Sequence, residues 1–92
     1  VVSVTIPEVI SQLRQVKEHL DRARAAIREA LTELGKAEAL LRYTLGNIRD
    51  TSVYTVPAQT KQHLTDADQG LDLTDRKVDE WIGKIAGTGP GK

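Results

Sequence analysis

The chain has 92 residues, with 13 basic and 13 acidic side chains and no cysteine, methionine or phenylalanine. That length allows one domain at most, with a thin core of Leu, Ile, Val and Ala and neither a disulfide nor a thiolate metal site. A net charge of zero argues against a general nucleic-acid binder, which needs a basic face.

Residues 1–6 alternate apolar and polar types and read as a short extended arm. Thr5-Ile6-Pro7-Glu8 is a helix start signal: Thr can cap, Pro is tolerated in the first turn, and Glu at the third position can reach back. A seven-residue row then runs through Ile6, Leu13, Leu20, Ile27, Leu34, Leu41 and Ile48. Three positions after each member but the last come Val9, Val16, Ala23, Ala30, Ala37 and Thr44. A repeat this strict predicts a long helix, residues 6–48, meeting another helix along a seam. Residues 49–56 break the pattern and read as a loop.

Thr55-Val56-Pro57 repeats the start signal, so a second helix is expected over residues 57–86. Its seam is Leu64, Leu71, Val78 and Ile85, interleaved with Thr60, Ala67, Thr74 and Trp81. The Gly-rich residues 87–92 read as a flexible tail. Residues 1–86 are thus expected to form a single all-α domain, an antiparallel two-helix hairpin of coiled-coil-like character, completed by oligomerisation. No apolar run reaches membrane-spanning length, and no charged start followed by an apolar stretch marks a signal peptide. The expectation is a soluble protein, cytoplasmic or secreted without a classical signal.

Setting bulky residues against small ones selects a register in which facing positions sum to 108. Ile27 then faces Trp81, and Ala30 faces Val78. Helix two would run out opposite about residue 22, leaving Ile6, Val9, Ile10, Leu13, Val16 and Leu20 unpaired. Such an apolar stripe marks an interaction surface. The expected partner is a second copy or another helical protein. Two copies would join either through a waist of residues 6–20 or as a four-helix bundle.

Chemistry-bearing motifs are few. His19 and His63 sit far apart, and no Glu-x-x-His pair suggests a di-metal site. Asp66-Ala-Asp68-Gln-Gly70-Leu-Asp72 is calcium-loop-like, but Gly falls at the fifth position and Lys77 stands where a bidentate Glu is needed. No nucleophile–base pair is evident, so the reading is a protein that is not an enzyme and needs no cofactor. Residues 64–80 carry six acidic and two basic side chains, whereas residues 8–49 carry eight basic and six acidic, so the two halves attract. Arg22, Arg24 and Arg28 offer an alternative reading, a nucleic-acid-associated helix, although Asp21 and Glu29 interrupt them.

Trp81-Ile82-Gly83 is a W-x-G triplet. With the hairpin layout and the chain length, it resembles the small secreted helical hairpins of the WXG100 class. The chain is also similar to the helical hairpins that precede toxin domains in actinobacterial polymorphic toxins. The resemblance implies an adaptor or the leading segment of a secreted effector, with the Gly-rich end leading into the effector. Two features depart from the WXG100 pattern: the triplet lies near the end of helix two, and no Tyr is followed four residues later by an acid. From these observations the expected function is a non-catalytic helical interaction and oligomerisation module.

Overall fold

The computed structural model describes residues 5–47 and 49–87. It is an antiparallel hairpin of two helices, α1 (Ile6–Leu45) and α2 (Ser52–Ala86), about 68 Å long and 22 Å across. No strand occurs among the described residues. Of the expected arm, residues 1–4 lie outside the described residues. So do Ile48, the last position expected in helix one, and residues 88–92 of the expected tail.

The start of α1 follows its sequence signal. Thr5 is extended, and its Oγ1 accepts a hydrogen bond from the Glu8 backbone N–H at 3.2 Å, satisfying one of the donors that a helix N-terminus leaves free. The helix ends at Leu45 rather than at residue 48, because Gly46 and Asn47 are poor helix formers.

The second helix begins five residues earlier than the Thr-Val-Pro signal suggests. Thr51, not Thr55, stands at its N-cap, and just ahead of it Asp50 Oδ1 accepts from the Ser52 N–H at 2.9 Å; hydrogen bonds from the Ser52 side chain and backbone hold the Asp50 carboxyl below its usual range. Residues 52–56 therefore form a helical turn and a half ahead of Pro57, which lies buried inside α2. A proline there lacks the N–H that would bond the carbonyl four residues back. The interruption is confined to the first turns of the helix.

These two boundary shifts reset the pairing. The connection is now centred between Leu45 and Ser52, and a tight connection fixes which residues face each other. Lys17 meets Asp75 and Arg24 meets Asp68, each pair summing to 92, while Glu38 meets Lys61, summing to 99. The expected register of 108 is thus displaced by about a dozen residues, roughly 18 Å along the helix. Helix two consequently reaches the level of about Ile10, not residue 22. The proposed waist of residues 6–20 is lost, since most of that segment is already covered by α2.

Candidate interaction surface

The face α1 turns toward α2 is set by two rows. The first is Leu13, Leu20, Ile27, Leu34 and Leu41, as expected, all half-buried. The second lies four residues on from each of these, not three: Lys17, Arg24, Leu31, Glu38 and Leu45, with Glu38 buried. On α2 the matching rows are Pro57, Leu64, Leu71, Val78 and Ile85, and then Lys61, Asp68, Asp75 and Ile82. Val78, at 1% exposure, is the single fully buried apolar residue among the described residues. The hairpin has almost no dry core of its own.

The charged seam positions pair in a repeating pattern. Lys17 Nζ lies 3.0 Å from Asp75 and 2.7 Å from Asp79. Seven residues on, Arg24 grips Asp68 through Nε and Nη2 at 2.9 and 3.2 Å and reaches Asp72 through Nη1 at 3.0 Å. Glu38 pairs with Lys61. No buried side-chain polar atom among the described residues is left without a partner. Hydrogen bonds that Lys17 donates to Asp79 and Asp75 raise its pKa, and the bond to Asp68 raises that of Arg24. In return, the Arg24 guanidinium holds the Asp68 carboxyl below its usual range.

These pairs give the hairpin one ionic edge, carrying Asp72, Asp79, Arg28 and Arg14. The other edge differs sharply. There α1 presents Val9, Val16, Ala23, Ala30, Ala37 and Thr44, and α2 presents Thr60, Ala67, Thr74 and Trp81. None of these ten is charged. Val9 and Ala23 are half-buried and the rest exposed, Val16 at 40% and Trp81 at 43%. Thr60 and Thr74 turn their hydroxyls back onto the Val56 and Gly70 carbonyls at 3.1 and 2.9 Å, leaving their methyl groups to the surface.

Of the residues expected in the seam, Ala30, Ala37, Ala67 and Trp81 therefore lie outside it, exposed on this uncharged face. Ala23 is half-buried at its margin. Ile27, Leu34, Leu41, Leu64, Leu71, Val78 and Ile85 do lie in the seam. The physical reason is electrostatic. Rotating both helices by one row brings three cations against carboxylates, where the apolar seam would have left those charges on the flank. Of the expected interaction stripe, Val9, Ile10, Leu13 and Leu20 are half-buried, while Ile6 is 53% exposed and Val16 40%. The ion-pair positions went unpredicted, although a signal was present: Lys17 and Arg24 are seven apart, as are Asp68 and Asp75.

Among the described residues no cluster of His, Cys, Asp and Glu could hold a metal ion, and no helix is long and apolar enough to cross a membrane. Compared with known proteins, the chain matches no family model, no curated protein and no solved structure.

Proposed function

We propose that this hairpin is a non-catalytic interaction module that docks another helical surface on its uncharged face. One observation carries the reading. The hairpin places its Leu-rich rows and its ion pairs in the seam, while a second, uncharged row on each helix, Val9 to Thr44 and Thr60 to Trp81, lies outside it. Monomeric proteins rarely leave a contiguous apolar strip of this length open, and such strips are interaction surfaces. The W-x-G triplet at Trp81 supports an adaptor or the leading segment of a secreted effector, since Trp81 sits on the docking face. The nucleic-acid alternative is weakened because Arg24, central to its basic stretch, is engaged by Asp68 and Asp72.

A photo-crosslinking residue placed at Ala30, with the chain expressed in its source cells, tests the reading. Adducts are expected from position 30 and not from position 29, which points away from the face. Equal yields at both positions, or none at either, would remove the docking role.

A further inference from the structure

We propose that the occupant of the uncharged face is a second copy of this chain, docked about a two-fold axis perpendicular to the helices. This rests on the docking role above and names its partner. The face has the positional symmetry that such a contact needs. On α1, Val16 and Ala37 lie symmetrically about the midpoint of residues 26 and 27, as do Ala23 and Ala30. On α2, Thr60 and Trp81 lie symmetrically about the midpoint of residues 70 and 71, as do Ala67 and Thr74. In the observed pairing, positions 26–27 of α1 and 70–71 of α2 stand at about the same level, because their sum falls between those of the Arg24–Asp68 and Glu38–Lys61 pairs. One axis therefore serves both helices.

Rotation about that axis sets large against small. Trp81 of one copy covers Thr60 of the other, Val16 covers Ala37, and Ala23 meets Ala30. Each contact recurs by symmetry, as an isologous interface requires, and bulky residues fall over small ones, as interdigitating layers require. On the rim of α1, His19 falls beside Glu33 of the second copy. All neighbouring helices run antiparallel, giving a four-helix bundle.

The size is right. The α1 row is about 50 Å long from Val9 to Thr44 and the α2 row about 30 Å from Thr60 to Trp81, so at about 10 Å per helix each copy would cover about 800 Å². The total of about 1,600 Å² is that of a standard specific interface. Zero net charge on the chain means that two copies do not repel by net charge.

Gly70 is the second observation. A side chain built there meets nothing within 4 Å in the hairpin, so packing inside the single chain does not demand a glycine in the middle of α2. A glycine weakens a helix interior. In the two-fold arrangement Gly70 lies at the crossing point, beside Ala67, where two copies of α2 approach most closely.

Sedimentation equilibrium of the full chain at about 50 μM, a concentration that populates any dimer of micromolar affinity, tests this. The wild type is expected at twice 10.1 kDa. Gly70→Leu has room in the hairpin and should keep its helical circular dichroism, yet lose affinity by about 100-fold or more and sediment as a monomer. Ala30→Arg gives an independent second disruption. Leu73→Gln, which changes an exposed residue off the face, should remain dimeric. A monomeric wild type overturns the second copy. So does a Gly70→Leu and Ala30→Arg pair that both stay dimeric, or a Leu73→Gln chain that dissociates. If the wild type is monomeric while position 30 still crosslinks to a heavier chain, only the partner's identity fails. If neither is seen, the docking role fails as well.

Discussion

Arg24 holds Asp68 across the helix pair by two parallel hydrogen bonds, Nε to Oδ1 at 2.9 Å and Nη2 to Oδ2 at 3.2 Å. It does so at a position that a purely apolar seam would give to a leucine. The same guanidinium also reaches Asp72, so removing it leaves two neighbouring carboxylates without their shared cation. Arg24→Ala is expected to lower the thermal midpoint clearly. The paired change Arg24→Leu with Asp68→Leu should restore or exceed wild-type stability, because desolvated ion pairs are often matched by well-packed apolar residues. Thermal unfolding of the single and double variants checks the order. A double variant less stable than Arg24→Ala would contradict it.

The same bond sets an acid limit. Asp68 has a lowered pKa in the folded chain, so the unfolded chain binds more protons as pH falls. The stabilisation is complete above the ordinary aspartate value of 3.8 and is lost as pH drops below it. Lys17 has a raised pKa, so its contribution is complete below 10.5 and is lost above that. Urea titrations should find these contributions constant from pH 5 to pH 9, with losses only outside that window. Asp68→Asn should flatten the acid limb.

Val78 is the one apolar side chain sealed from solvent among the described residues. Val78→Ala removes two methyl groups and should destabilise the chain by about 2 kcal/mol, transfer and cavity contributions together. Denaturant unfolding measures this directly. A loss below about 0.5 kcal/mol would show that the seam collapses around the gap.

Helix ends and open glycines give smaller effects of both signs. Thr5→Ala removes the cap on Glu8 and should cost about 1 kcal/mol. Gly35→Ala meets nothing within 4 Å and should add about 1 kcal/mol, by helix propensity alone. Fraying at Ile6–Val9, read by amide exchange, should increase only in the first variant.

Two long helices and the Leu13-to-Leu41 row were legible because a seven-residue repeat leaves few alternatives. The cap at Thr5 was legible because capping depends on four consecutive residues. The register was not. It depends on the length of the connection, and that in turn depends on whether α2 starts after Thr51 or after Thr55. Proline at 57 favours the later start, yet the Asp50–Ser52 hydrogen bond turns the chain and the helix begins ahead of it. The docking face was concealed by its own regularity. Ala23, Ala30, Ala37 and Ala67 look like ideal seam residues, and only the opposed charges of Lys17, Arg24, Asp68 and Asp75 indicate that the pairing turns them outward.

The position of Trp81 tests the account most directly, because it reports both register and rotation. Nuclear Overhauser contacts from its indole ring to assigned methyl groups of α1 would decide the matter. The charged-seam pairing predicts cross-peaks to the Val16 methyls, at the same level on the same uncharged face, and none to Ile27. Cross-peaks from the indole to the Ile27 methyls, with none to Val16, would place Trp81 in an apolar seam and contradict the ion-paired hairpin and the docking face derived from it.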